Sequence, residues 1–395
     1  MSDSATLLGA FRNNNFEEGR LILKENKNLL KSMDDYNRSQ IFEKAIREQS
    51  RETLQFFIAE GIIETDIYEY DGFKGSIFES IVRNQQFDES FIAFLDDFFS
   101  KLDSLNDEVM GHTLLSYAIE EGADIEVVKS LVKAGCDVNY TNNSDDTFLH
   151  RIASNNRMRP EKALAYLEFF IQEGLDINAE NVVNKTALSY SLSRQKEAQM
   201  DLLLQQGADP NHQDDKGKSS FYEVVVDYLD IKLYDKLKEY QSPDLNQVNS
   251  EQTTILFEYA RRIHDSSEST IKLLVKLIED GGDLLLPSIY YGNGKTPIEA
   301  IAEKSFDVFK AVIDLDVIDI NHIDKDGNNL LHIVCAFNVN YDNEQARDTY
   351  KKAKLLIEKG IDSNLINSKE QTALMLASDD NLKLKTVELL LKNKS

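Results

Sequence analysis

The sequence predicts an all-α solenoid of stacked helix–turn–helix units, and three observations predict it. An anchor segment recurs, opening at Thr113, Thr147, Thr186, Ser219, Thr254, Thr296, Asn329 and Thr372, with separations of 34, 39, 33, 35, 42, 33 and 43 residues. A second segment follows most anchors in phase: an apolar run that ends in glycine and then Asp or Asn, as in Leu202-Leu203-Leu204-Gln205-Gln206-Gly207-Ala208-Asp209. The 395 residues are 42% hydrophobic and 29% charged with only 17 Gly and 5 Pro, which suits a packed helical array and excludes collagen-like or Pro/Gly-rich disordered chains.

Each element of the unit has a physical reason. A hydroxyl at the anchor accepts a hydrogen bond from a backbone N–H that the first turn of a helix leaves unpaired. A helix of about two turns follows it. Val127, Val128, Leu131 and Val132 recur at helical spacing and mark a second, buried helix. Gly135, Gly174, Gly207 and Gly360 fall where that helix ends in a left-handed residue. Asp and Asn then turn the chain into a short hairpin. One such unit cannot bury its apolar face, and stacking on the next unit buries it.

These residues resemble the ankyrin repeat, with its T-P-L-H-type helix start and G-A-D-x-N-type turn. Thr147-Phe148-Leu149-His150, Asn329-Leu330-Leu331-His332 and Thr296-Pro297 carry the first signature. Phe170–Asn178 and Leu355–Asn364 carry the second. The resemblance covers 107–395, and residues 1–106 read as degenerate repeats continuous with it. Ser39-Gln40-Ile41-Phe42 and Gly75-Ser76-Ile77-Phe78 align with the helix start there, while Leu7–Ala10 and Leu21–Leu23 suggest one more helix pair. About eleven pairs in one continuous array result, in place of the two or three separate domains that length alone suggests. Asn155 to Pro160, His264 to Thr270 and Asn338 to Thr349 are expected to lengthen loops between paired helices, and Gln241 to Ser250 a hairpin.

Chemistry is sparse. His150 and His332 hold the family's framework position, where an imidazole ties neighbouring loops together, and His212 and His322 fall at turns. No two histidines share a helix face at the spacing of a zinc hydrolase. Cys136 and Cys335 lie at positions that ask for a small buried side chain, and their separation makes no disulfide framework. Asp324–Asn328 resembles the start of a calcium loop but lacks the closing Glu, and Gly292–Thr296 matches only the end of a phosphate loop. No catalytic residue, metal site or cofactor follows.

The formal charge of −25 disfavours nucleic acid and anionic membranes, and no apolar run approaches the roughly 18 residues of a membrane span. No basic flank and cleavage site of a secretory leader is present, so the expectation is a reducing, cytoplasmic location in the producing cell, or in a host cell if the chain is translocated. Residues 60–110 hold 13 acidic and 3 basic residues, a net of −10. Within them Glu64, Asp66, Tyr68, Glu69, Tyr70 and Asp71 fall in an expected hairpin, where carboxylates select cationic surfaces and Tyr supplies contact area. The resemblance implies a concave strip for protein partners, carried over by phase to His112, Glu120, Glu121, Asp146, Ser154, Asn155, Lys185, Ser193 and Arg194. It continues through Lys218, Val226, Asp227, Thr253, Arg261, Arg262, Lys295, Glu303 and Lys304. Tyr290 and Tyr291 add a second aromatic hairpin. The expected function is non-enzymatic binding of a protein with a basic surface by a chain that is monomeric when free. Ile-, Lys- and Asn-rich usage without Trp hints at a low-GC bacterium, which suggests an immunity protein sequestering a basic toxin or enzyme. The alternatives are an effector that docks on a host protein and, third, the substrate-recruiting part of an enzyme.

Overall fold

The anchor spacing becomes a series of paired helices in the computed structural model, which describes residues 3–393. The chain divides into two compact units at Ala208/Asp209. In the first unit, six pairs follow one another: α1 (Asp3–Arg12) with α2 (Phe16–Glu25), α3 (Asp35–Arg47) with α4 (Arg51–Ala59), α5 (Ile77–Arg83) with α6 (Glu89–Phe99), α7 (Leu114–Glu121) with α8 (Ile125–Lys133), α9 (Phe148–Ser154) with α10 (Pro160–Gln172), and α11 (Ala187–Ser193) with α12 (Glu197–Gln205). First helices pack on first helices and second helices on second helices, so α5 touches α3 and α7 while α8 touches α6 and α10.

The second unit repeats the arrangement. Its pairs are α13 (Ser220–Tyr222, continued as a π-helix over Glu223–Tyr228) with α14 (Ile231–Lys238), α15 (Ile255–Arg262) with α16 (Glu268–Glu279), α17 (Pro297–Ala302) with α18 (Phe306–Ile313), α19 (Leu330–Ala336) with α20 (Asn343–Glu358), and α21 (Ala373–Ser378) with α22 (Leu384–Lys392). One hairpin is a true ribbon, β1 (Ser288–Tyr290) paired antiparallel with β2 (Asn293–Lys295). The fold is an all-α repeat solenoid with eleven helix pairs among the described residues.

The anchors do what a hydroxyl at a helix start does. Thr113, Ser219 and Thr254 accept the backbone N–H three residues on at 3.2 Å, and Asn329 does the same for His332 with its amide oxygen. His150 and His332 complete their turns and reach the next hairpin: His150 Nε2 donates to the Lys185 carbonyl at 2.8 Å and His332 Nε2 to that of Gln371 at 3.2 Å. Burial holds both imidazoles below the ordinary histidine pKa, so the neutral ring is the structural form. The alignment of Ser39 with a helix start does not hold, because α3 begins at Asp35 under an Asp34 cap that accepts from Asn37 N at 2.8 Å.

The long repeats carry the lengthened loops expected of them and a further change. The extra residues lengthen the second helix as well as the loop: α10 has 13 residues, α16 has 12 and α20 has 16, against 9 in α8 and α12 and 8 in α14 and α18, while residues 155–159, 263–267 and 337–342 link the paired helices where 122–124, 194–196 and 303–305 suffice in the shorter repeats. Good helix formers such as Glu344, Gln345, Ala346 and Arg347 propagate a helix that Asp342 has already started. Single-residue length is absorbed differently. The left-handed turn between paired helices comes nine residues after Thr113 and Thr186, at Gly122 and Gln195, but ten after Ser219, at Leu229. The π-helix takes up that one residue.

Five first helices, α7, α9, α15, α17 and α19, have their C-terminal ends closed by a lysine of the next repeat. Lys162 Nζ donates to the carbonyls of Gly122 and Ala123 at 2.5 and 2.9 Å, and Lys196 Nζ to those of Ala153 and Asn155 at 2.8 and 2.7 Å. Lys304 reaches Arg261 and Ile263 at 2.7 and 3.0 Å, Lys352 reaches Ala302 at 2.9 Å and Lys304, and Lys383 reaches Cys335 at 2.8 Å. An ammonium group meets the negative end of a helix dipole and pairs carbonyls that the helix leaves open. Burial lowers the pKa of all five, that of Lys352 to about 8.

Lys352 therefore links stability to pH. Its folded pKa lies below its ordinary value of 10.5, so the unfolded chain binds the extra proton between about pH 8 and 10.5. The contribution is fully present above 10.5 and is lost as pH falls through 8. Urea unfolding should show wild type gaining stability over Lys352→Met with rising pH across that window, by at most about 1.4 kcal/mol per pH unit. Parallel pH profiles for the two proteins would contradict this.

Candidate functional site

The acidic stretch folds as a turn that is clipped to its neighbour. Asp66 accepts the Tyr68 N–H at 3.1 Å and starts a short 3-10 turn over Ile67–Glu69, with Ile67 buried beneath it. Ile67 N donates to the Asp103 carbonyl at 3.1 Å and Asp103 N to that of Thr65 at 2.9 Å. The segment is thus a 3-10 turn bound to residue 103, where a two-stranded hairpin was expected. Glu64 is engaged by Lys31 at 2.6 Å. Tyr70 turns inward: its hydroxyl donates to the Glu64 carbonyl at 2.9 Å, and its ring meets Phe78 edge-on at 5.3 Å. Burial pushes its phenol pKa up. Tyr70 is therefore a packing residue, while Tyr68, Glu69 and Asp71 remain exposed.

One hollow of about 740 Å³ in the first unit collects residues from three helix pairs. Glu64, Glu69, Tyr70 and Asp71 line it from the acidic stretch and His112, Glu120 and Glu121 from α7 and the turn before it, together with apolar residues that include Phe42, Ile62 and Phe73. His112 Nδ1 lies 3.1 Å from Glu120, which also receives Arg151. Arg151 is nearly buried, its guanidinium 5.8 Å from the ring centres of Tyr140 and Phe148. Asp35 takes Arg38 at 2.5 Å. Among the described residues lining the hollow, the carboxylates of Glu69, Asp71 and Glu121 carry no ion-pair or hydrogen-bond partner, against one unpaired ammonium, Lys74. Water-facing carboxylates without partners are the groups a cationic surface can meet without first breaking an ion pair.

Other strip positions are committed to the fold. Asp146 accepts the Asn181 amide at 2.8 Å, and Asn155 caps its own turn through Arg157 N at 2.8 Å. Arg194 is exposed and shows no partner. Val226 and Thr253, expected on the exposed strip, are buried, Val226 within the π-helix and Thr253 immediately before its anchor. Lys304 is one of the carbonyl-bound lysines.

The second unit carries a different, self-neutralised surface. Glu258 is almost fully buried and receives Arg261 at 2.7 Å and Arg262 at 3.2 Å. Asp227 bridges Arg262 at 3.4 Å and Lys218 at 2.9 Å, and Lys295 pairs with Glu303 at 2.7 Å. Tyr290 packs edge-on against Phe257 at 5.8 Å, with Arg261 and Lys295 over its ring at 5.6 and 5.8 Å. Tyr291, 4.5 Å from Tyr290, is 87% exposed. Both tyrosines line a hollow of about 650 Å³ with His332 and Phe337.

The remaining chemistry stays structural. Asp324 binds the N–H groups of Asp326 and Asn328 at 2.8 Å, which makes the calcium-like run a hairpin turn. Among the described residues no cluster of His, Cys, Asp and Glu could hold a metal, and no helix is long and apolar enough to cross a membrane. Burial pushes the Cys136 and Cys335 thiols up to about 12, so neither supplies a thiolate at neutral pH. Alkylation by iodoacetamide at pH 8 should be at least about a hundredfold slower in the native chain than in urea. Fast labelling of either cysteine would contradict the packing.

Two features of this surface and its support were not readable as motifs. The carbonyl-bound lysines fall 8, 10, 11, 15 and 23 residues after their anchors, so no fixed spacing marks them. Met110, on the rim of the first hollow, is 81% exposed.

The family described as ankyrin repeats (3 copies) matches residues 115–214 and 298–395, half of the chain. An ankyrin repeat protein of Acanthamoeba polyphaga mimivirus is 26% identical over 138 residues, covering 32% of this chain and 83% of that protein. The ankyrin repeat domain of Bcl-3, a member of the IkappaB protein family, superposes with a TM-score of 0.48 at 20% identity, covering 63% of this chain and 100% of that domain.

Proposed function

Because the chain belongs to the ankyrin-repeat family, we propose that it is a non-enzymatic scaffold that holds a basic protein through the concave surface of its first unit. Ankyrin repeats are protein-interaction modules, and the observation that carries the finer reading is the hollow bounded by residues 64–71 and 112–121. Three separate helix pairs supply its walls, so the site exists only in the stacked array. Its unpaired Glu69, Asp71 and Glu121 give it an excess negative charge within a chain of −25. Such a field accelerates encounter with a cationic partner and rejects anionic ones.

Sequestration suits this arrangement better than catalysis. The apolar lining is built from packed side chains, the histidines at the helix starts serve the backbone, and the thiols are protonated. A preformed surface that covers a basic toxin or enzyme acts by occlusion, as an immunity protein does, in the cytoplasm of the producing cell. The second unit, with its paired arginines and exposed Tyr291, offers further contact area.

The test begins with affinity capture from the native organism and proceeds to kinetics with the captured protein. Replacing Glu69, Asp71 and Glu121 together by Lys should slow association about tenfold at low salt and flatten its dependence on ionic strength. Glu64 and Asp66 are left in place, since they hold Lys31 and the 3-10 turn. An unchanged association rate would remove the first hollow from the binding surface.

A further inference from the structure

The hairpin turns between repeats share a backbone rule, which the tip at Gly111 keeps while adding a second left-handed residue and from which the tip before Thr296 departs. The residue two before the anchor is left-handed at Gly111, Asp145, Asn184, Gly217, Gln252, Gly327 and Glu370, and each is glycine or polar. That choice follows from sterics and solvation, because a side chain in this conformation is strained and a turn tip faces water. Where a tip has two consecutive left-handed residues, the first is Met110 (φ 55°) before Gly111, or Tyr291 (φ 47°) before Gly292. Asn or Gly would satisfy the Met110 tip with less strain. Neither backbone conformation nor hydration explains a methionine there.

Its surroundings do. Val109 and His112 exchange both backbone hydrogen bonds, at 2.9 and 3.1 Å, which fixes the tip as a two-residue turn. A Cβ placed on Gly72 would lie 3.7 Å from Met110 Cγ, so the thioether stem runs over the chain between Asp71 and Phe73. Met110 therefore presents an adaptable apolar group at the rim on which Glu69, Asp71 and Glu121 stand unpaired.

We propose that this hollow takes a segment of the partner protein in which cationic and aliphatic side chains alternate, with Met110 as its apolar contact. The inference rests on the reading of the first unit as the binding surface and adds the chemistry of what enters it. The cationic heads meet Glu69, Asp71 and Glu121, and the aliphatic groups cover Met110 and the apolar lining. Charge complementarity selects a protein segment over nucleic acid, and the apolar rim selects it over a simple polyamine.

The test uses the full chain with 13C-labelled methionine methyls, the Met110 signal being identified by its loss in Met110→Ser. A synthetic peptide of alternating lysine and leucine is titrated beside one of alternating lysine and serine, and beside spermine. The expected result is a shift of the Met110 methyl with the lysine–leucine peptide and binding about tenfold weaker for the other two probes. Met110→Ser and the triple Lys variant at Glu69, Asp71 and Glu121 should each lose a similar factor. A control triple reversal at Glu17, Glu161 and Glu173, with the same net charge, should bind the peptide as wild type does. Equal affinity for the serine peptide or spermine, a Met110 methyl that stays in place, or equal loss in the control variant would overturn the proposal. Those outcomes leave protein binding itself to the capture experiment, so failure of the segment chemistry is distinct from failure of the scaffold reading.

Discussion

A helix of two turns has more open backbone groups at its ends than paired ones in its middle, and this constraint shapes every repeat of the chain. The first helices run to 7 or 8 residues in the regular units, as in α9, α11 and α15. Four N–H groups and four carbonyls per helix need partners from elsewhere. The anchor residue supplies one at the start. At the other end of five of these helices the partner comes from the following repeat, where a lysine side chain crosses to the exposed carbonyls. In these five cases a repeat completes its predecessor, and neighbour contact is polar as well as apolar. The cost is a desolvated ammonium, visible in the depressed pKa of all five lysines.

Much of this was legible in the sequence because the caps and turns are local. Thr113, Thr254 and Thr296 act within three residues of themselves, and Gly135, Gly174 and Gly207 take the left-handed conformation their positions imply. Periodicity likewise found the buried faces, Phe91, Phe94, Leu95, Phe98 and Phe99 among them. What escaped was non-local or depended on how a helix absorbs length. Ser39 was mistaken for a helix start because α3 is longer than its counterparts, and Asp34, five residues earlier, is an equally good cap. The additional residues of the long repeats are shared between loop and second helix, and a repeat pattern shows where a unit ends but not how the added length is divided.

The interaction surface was legible in charge and less so in orientation. The acid-rich stretch does line a hollow together with His112, Glu120 and Glu121, which lie some fifty residues away in the chain. Composition cannot say which acids are free, and it treated Glu64 and Asp66 as equals of Glu69 and Asp71 although the first two are occupied by Lys31 and by the backbone. Nor can it orient an aromatic ring: Tyr68 faces water while Tyr70 packs on Phe78. Tyr290 and Tyr291 divide in the same way, one held between cations and the other exposed.

The widened turn of helix over Glu223–Tyr228 bears on how such a chain diverges. A codon gained inside a first helix shifts everything downstream by one position, which in a strand would turn the buried face outward. Here the helix swells by one residue and returns the backbone to register at Leu229, so the next pair, Ile231–Lys238, begins as though nothing had been added. The added residue is thereby confined to a single turn, and the repeat beyond it keeps its register.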